Sequence, residues 1–320
     1  MKAANVRAVI EGSRLCLLPA CLALLTASGC GADAADASTE SSVRDQALLG
    51  GGHHGDAAPS LHRVQLSTGV ELEYLEQGAP NGTPVVFLHG FTDSHRSFDR
   101  NLPSFPRRFH VFALDQRGHG NSSKPECCYA QADFAADVAA FLDAVGVQSA
   151  SVVGHSMGSF IAQQFALDFP DRIDRLVLIG SAATLVGNAT VLDFQTVVDT
   201  LTDPIDPAFV REFQASTFFR AIPESFLDVA VEESLKVPAA VWQRALDGLV
   251  ATDHTSQLAA LTAPTLILFG DEDVFVTAAD QAALDASIPN STLITYPDTG
   301  HGTHVERPRR VNRDVARFLR

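Results

Sequence analysis

Short apolar runs recur along the chain near Val85, Phe109, Ser151, Leu176, Leu266 and Leu293. Bounded by Gly, Pro and Asp, runs of this length read as strands buried on both faces. Stretches with helical spacing lie between them. Over Asp133 to Val145, the residues Phe134, Val138, Phe141, Leu142 and Val145 fall on one face, the pattern of an amphipathic helix. Two alternating segments open the series: Leu61 to Leu66 and Val70 to Gln77 predict a hairpin turned at Thr68-Gly69. Strand–helix alternation predicts an α/β fold with a mostly parallel central sheet flanked by helices. Ligands of such sheets bind beyond the carboxyl ends of the strands. One interval breaks the rhythm. Between Ile179 and Thr265 no strand pattern appears, and residues 185–256 are mainly helical, punctuated by Pro204, Pro207, Pro223 and Pro238. This insertion carries Phe194, Phe209, Phe213, Phe218, Phe219, Phe226 and Trp242.

The amino-terminal residues follow another rule. Lys2, Arg7 and Arg14 precede an apolar run from Leu15 to Leu25 that is too short and broken to span a membrane. Small residues then lead to Cys30, so residues 1–30 read as a secretory signal. Ala27-Ser28-Gly29-Cys30 resembles a bacterial lipobox, with Ala27 where leucine is usual. That resemblance implies a lipidated Cys30 and an exported protein anchored to a bacterial membrane, facing periplasm or exterior. Residues 31–60 are rich in Ala, Asp, Ser and Gly and bury too little apolar surface to fold, which predicts a flexible tether. Residues 61–320 remain for one domain.

Composition narrows the partners. With 46% hydrophobic and 19% charged residues, the chain can fill a sizeable core. Its net charge of −15 argues against nucleic acid, against electrostatic docking on anionic lipid, and mildly against highly anionic substrates. Membrane association would come through the lipid anchor only. Outside the signal and Cys30, the cysteines are the adjacent pair Cys127 and Cys128. Their neighbouring Cα atoms lie closer than a relaxed disulfide prefers, which predicts two thiols or a labile vicinal bridge without a catalytic role.

The chemistry concentrates at three strand ends. Ala150-Ser151-Val152-Val153 runs into Gly154-His155-Ser156-Met157-Gly158, and a helix pattern follows. A serine between two glycines at a strand-to-helix turn is held exposed and strained, able to attack a carbonyl. Such a hydroxyl needs a base, and the base needs an orienting acid. His301, in a Gly-rich loop after Thr292 to Tyr296, is the base candidate. An acid candidate lies in Gly270-Asp271-Glu272-Asp273, at the end of the run Thr265 to Phe269.

Residues 61–320 resemble the α/β-hydrolase superfamily in these motifs and in two more. Pro84 to Phe91 resembles its strand and oxyanion turn, and Leu114 to Ser122 resembles its Asp-x-Arg-Gly-x-Gly-x-Ser turn. Gly300-His301 followed by Glu306-Arg307-Pro308 resembles the segment with the family's histidine. The order Ser, Asp, His agrees. The resemblance implies the α/β-hydrolase fold, Asp273 rather than Asp271 as the acid, and a helical cap formed by about 185–256. It also implies backbone N–H groups of Phe91 and Met157 as oxyanion donors. His-Gly-Phe-Thr at residues 89–92 departs from the His-Gly-Gly-Gly of some lipases, which weakens a role on bulky tertiary-alcohol esters. Most cap aromatics, about two in three, are expected in the cap core, the rest lining an apolar pocket.

Other histidines read as structural: His89 supporting the oxyanion turn, His155 packing in the elbow, His119 in a surface turn, His304 at the exposed start of the last helix. His53-His54 lack a third ligand at metal spacing, so no metal site is expected, and no phosphate-binding loop implies an organic cofactor. The leading expectation is a serine hydrolase acting on a small to medium apolar ester or lactone through an acyl-enzyme. Peptidase, thioesterase, carbon–carbon hydrolase and cofactor-free peroxidase chemistry share the fold. A tethered, non-catalytic ligand sensor is the contrasting class.

Overall fold

A computed structural model describes residues 57–320. The expected signal, the lipidation residue Cys30 and most of the tether lie outside the described residues. Eight strands form one sheet in the order β1-β2-β4-β3-β5-β6-β7-β8. They are β1 (Ala57–Gln65), β2 (Glu71–Gly78), β3 (Thr83–Leu88), β4 (Phe109–Leu114), β5 (Ala150–His155), β6 (Ile173–Ile179), β7 (Thr265–Gly270) and β8 (Ser291–Tyr296). β1 pairs antiparallel with β2, and β2 with β4. From β4 to β8 every pairing is parallel.

The expected hairpin forms: Leu66 N–H reaches Val70 O at 2.8 Å across the turn, and Gly69 supplies the positive φ of 87°. Its first strand starts earlier than the apolar pattern indicates. Ala57 pairs with Gly78 and Ser60 with Glu76, inside the span assigned to the tether. Pro59 and Ser60 are exposed, so backbone pairing to β2, not side-chain burial, orders this stretch.

Alternate residues of the parallel strands enter two cores. Val86, Leu88, Val152, Leu176, Leu178 and Ile267 face α1 (Gln131–Ala144) and α2 (Met157–Asp168). Val85, Phe87, Val153, Val177, Ile179 and Leu268 pack with Val311 and Val315 of the carboxyl-terminal helix Pro308–Phe318. α1 begins just before Asp133, whose carboxylate accepts the Ala130 N–H at 2.9 Å and closes the first turn. Cys127 and Cys128 are joined as a disulfide. Arg117 Nη1 donates to Cys128 O at 2.6 Å, while its other donors grip Asp137 at 2.6 and 2.7 Å. The loop carrying the cysteines is thus tied to α1.

Four helices fill the interval between β6 and β7: α3 (Ala189–Val198), α4 (Pro207–Ser216), α5 (Glu224–Leu235) and α6 (Ala239–Val250). Their two ends are stitched together, since Thr184 and Asp253 form a β-bridge and His254 N–H donates to Ala183 O at 2.9 Å. Trp242 is fully buried at 0% exposure, with the rings of Phe91, Phe209 and Phe213 at 5.3, 6.0 and 5.5 Å. Aromatic packing of this kind holds the insertion to the turn after β3.

Candidate active site

The chain leaves β3 toward β4 on one side and returns to β5 on the other. Loops leaving such neighbouring strands diverge, opening a crevice at their carboxyl ends. Ser156 follows β5 there, with φ 50° and ψ −122°, a conformation that a non-glycine residue holds only under constraint. The constraint is packing. A Cβ on Gly154 would lie 2.2 Å from Gly158 O, and one on Gly158 would lie 2.3 Å from Leu88 O and 2.5 Å from His89 O. Both flanking glycines therefore let α2 press against β3 and β5, leaving the serine no relaxed alternative.

His301 and Asp273 arrive from the ends of β8 and β7. His301 Nδ1 and Asp273 Oδ2 are 2.7 Å apart. Asp273 Oδ1 accepts the N–H groups of Phe275 and Val276 at 2.8 and 3.1 Å. The carboxylate is thus fixed by its own turn, and it fixes the imidazole. Asp271 is exposed and accepts only a long bond, 3.4 Å, from Thr299 N. The structure joins Asp273, not Asp271, to the histidine. Ser156 and His301 line one cavity. Among the described residues the Ser156 hydroxyl has no hydrogen-bond partner, His301 included; unliganded sites often close that last bond only when substrate arrives.

The amide groups of Phe91 and Met157 also lack acceptors among the described residues. They belong to the two segments that Gly158 brings together. His89 secures the first segment as expected. Gln116 N–H donates to its Nε2 at 3.1 Å, so its Nδ1–H donates to Gly90 O at 2.8 Å. His155 packs beside the site, its Nε2 donating to the His301 carbonyl at 3.2 Å.

Two histidines differ from their sequence reading. His119 is 0% exposed. Its turn folds inward because Asp115 accepts from Asn121 N–H at 2.9 Å and from His95 N–H at 2.8 Å. His304 is 1% exposed, in the short helix Thr303–Glu306. Its ring lies tilted 4.3 Å from that of His155, meets Ser97 Oγ at 3.1 Å and lines the cavity. Burial dominates both rings, lowering each pKa to about 3.

Cap aromatics contribute more to the pocket than expected. Phe194, Phe213, Phe218 and Phe226 line it with Phe91, Leu185, Leu246 and Phe275, whereas Phe209 and Trp242 pack elsewhere in the core. Short cap helices leave one aromatic face toward the sheet, and that face is the roof of the cavity. Sequence reading also missed Glu306. Its carboxylate accepts Gly300 N–H at 2.9 Å, Phe219 N–H at 3.0 Å and Arg220 N–H at 2.9 Å, fastening the His301 loop to the cap. Burial pushes its pKa up, against those donors. The Glu-Arg-Pro segment was the available signal.

A mostly parallel sheet in this order, with a sharp serine turn after β5 and a helical insertion after β6, defines a class of lidded α/β enzymes. The chain belongs to the α/β hydrolase fold family: the family model described as alpha/beta hydrolase fold matches residues 83–308. It is similar to a bifunctional esterase/perhydrolase from Acinetobacter calcoaceticus, 29% identical over 80% of this chain and 99% of that protein. It is similar also to a 2-hydroxy-6-oxononadienedioate/2-hydroxy-6-oxononatrienedioate hydrolase from Burkholderia vietnamiensis, 28% identical over 83% of this chain and 98% of the relative. An esterase from Exiguobacterium antarcticum superposes with a TM-score of 0.74 at 20% identity, covering 80% of this chain and 98% of that structure. Hydrolase-type chemistry is thus the family's, and the choice of substrate rests on the pocket.

Proposed function

We propose that this protein is a serine esterase or lactonase for small to medium, largely apolar substrates. The observation that carries the reading is the strained Ser156 sharing an apolar cavity with His301, itself bonded to Asp273 at 2.7 Å. With Nδ1–H donated to Asp273, His301 keeps the Nε2 lone pair for a proton. Ser156 Oγ attacks the ester carbon as Nε2 takes its proton. The tetrahedral oxyanion is stabilised by the free N–H groups of Phe91 and Met157. Collapse expels the alcohol, which receives the proton from Nε2. Water, deprotonated by the same nitrogen, then releases the acid and restores Ser156.

The charged lining supports esters over dianionic substrates of the kind named for the Burkholderia relative. Arg96 lines the cavity, but its guanidinium lies 3.1 Å from Asp99 and 3.8 Å from Glu233. Among the described residues, no lysine lines the cavity, and no second arginine. A substrate with two carboxylates would enter without a free cation to meet it. The test is hydrolysis of p-nitrophenyl esters from acetate to decanoate. A single optimum in chain length is expected, because the aromatic roof closes the pocket at a finite depth. Turnover of a dioate carbon–carbon substrate with none of the esters would reject the reading.

The two aspartates separate cleanly. Asp273→Asn is expected to lower kcat about 10³- to 10⁴-fold, since the amide can no longer hold the imidazole in the required tautomer. Asp271→Asn should change kcat less than about twofold, its carboxylate being exposed and weakly bonded. Pre-steady-state ester hydrolysis measures both, and a reversed ranking would move the acid by two residues.

A further inference from the structure

Three side chains lining the cavity carry formal charge: Asp93, Arg96 and Glu233. Glu233 is paired with Lys236 at 2.8 Å, and Arg96 is held between Asp99 and Glu233. Asp93 has no lysine or arginine partner among the described residues. Its Oδ1 accepts Gln214 Nε2 at 3.0 Å and its Oδ2 accepts Ser97 Oγ at 3.3 Å. Gln214 is itself locked by Ser234 Oγ at 2.8 Å, so this geometry is built, not incidental. The carboxyl sits deep in the protein yet keeps partial exposure, and the cavity it lines is the space it faces. A lone carboxylate in an apolar cavity is costly unless something positive meets it. Aromatic side chains line the same cavity. They are Phe91, Phe213, Phe218 and Phe226, with Phe218 and Phe226 edge to face at 6.3 Å. Rings beside a carboxylate form a general receptor for an ammonium ion.

We propose that this cavity selects substrates carrying an ammonium group, seated at Asp93 among the cap aromatics, with the ester carbonyl at Ser156. The proposal rests on the esterase reading above. Ionisation of Asp93 sets its pH range. Burial pushes its pKa up to about 6, opposed by Gln214, Ser97 and His301. The site is therefore anionic at pH 7 to 8 and neutral well below 6. The other titratable and charged groups lining the cavity are His301, His155, His304, Arg96 and Glu233. Both His155 and His304 have lowered pKa values, chiefly from burial, and remain neutral through this range. His301 serves the turnover of both esters of a pair, so its contribution divides out of their ratio.

The experiment compares isosteric pairs on the full chain. Choline butyrate against 3,3-dimethylbutyl butyrate places the charge on the alcohol. Phenyl 4-(trimethylammonio)butyrate against phenyl 5,5-dimethylhexanoate places it on the acyl group. The kcat/KM ratio of cation to neutral is expected to reach about tenfold for one pair at pH 8. In Asp93→Asn that ratio should fall to about one, and in the wild type it should decline below pH 6. A ratio near one for both pairs overturns the proposal, as does a preference unchanged in Asp93→Asn or flat with pH. The pH series needs no variant, so it decides even if Asp93→Asn does not fold. If no ester is turned over, the esterase reading fails, and calorimetric binding of butyltrimethylammonium decides the subsite separately. Asp93-dependent binding upholds it, and absence of binding ends it.

Discussion

Ser156→Ala is expected to lower kcat/KM for esters by about 10⁴- to 10⁶-fold while leaving the fold intact. The loss is this large because nucleophile, base and acid act as one unit, and the oxyanion amides alone retain only a small residue of catalysis. Stability should be nearly unchanged, since the Ser156 hydroxyl has no hydrogen-bond partner to lose among the described residues and the positive φ of 50° persists with alanine. Two readouts check it: ester turnover, and covalent labelling by an organophosphonate. The wild type should show both and the variant neither. Labelling without turnover in the wild type would favour a ligand sensor. A variant keeping most of its activity would remove Ser156 from the mechanism altogether.

Acid should unfold this protein through its histidines. Burial, the leading cause in each case, lowers His89 and His254 to about 4 and His119 and His304 to about 3, and drives His155 well down. The unfolded chain binds these protons near pH 6.5, whereas in the folded protein His89, His254, His119 and His304 refuse them until pH 3 to 4 and His155 likewise resists protonation. Above pH 6.5 both states are neutral there and stability is flat. Below it the unfolded state holds more protons, so stability falls with falling pH. Each ring loses roughly 1 kcal/mol over the first pH unit below 6.5, and the rings act together. His95 opposes them. Burial lowers its pKa, but the bond and charge of Asp115 outweigh that and raise it, so its contribution is full below the unfolded value and lost at higher pH. Five lowered rings against one raised ring give a net loss. Melting temperature from pH 7.5 to 5 measures this; a flat profile would mean the rings are not held neutral.

Much of this was legible before folding. The elbow Gly154 to Gly158, the hairpin turn at Thr68-Gly69 and the apolar strands are local statements, made by residues a few positions apart. Their order along the chain points to the sheet, and the sheet brings three distant strand ends to one edge. That is why Asp273 could be preferred to Asp271 on a family pattern and then found bonded to His301. The extent of β1 was not legible, because Ala57 to Ser60 are ordered by a partner strand and carry no apolar signature of their own.

Polar residues were read less well. His119 and His304 look like surface residues beside glycines, prolines and charges, yet both are buried. Asp93 looked unremarkable in the chain, and Glu306 stood out only as part of the segment after His301. One lines a cavity, and the other accepts three backbone N–H groups, one from its own loop and two from the distant pair Phe219-Arg220. A polar side chain is compatible with water or with a buried partner, and its neighbours in sequence do not say which.

The sequence by itself determined the strand and helix pattern, the strained serine and the chain order of the candidate triad. These depend on backbone sterics and on hydrophobic period, which act over a few residues. Only the tertiary structure decided which aromatics roof the pocket, which cation is already neutralised and which carboxylate is left alone. Those outcomes depend on how the cap helices settle on the sheet, where burial and pairing are set by residues up to a hundred or more positions apart, as with Thr92 and Gln214 or Phe219 and Glu306.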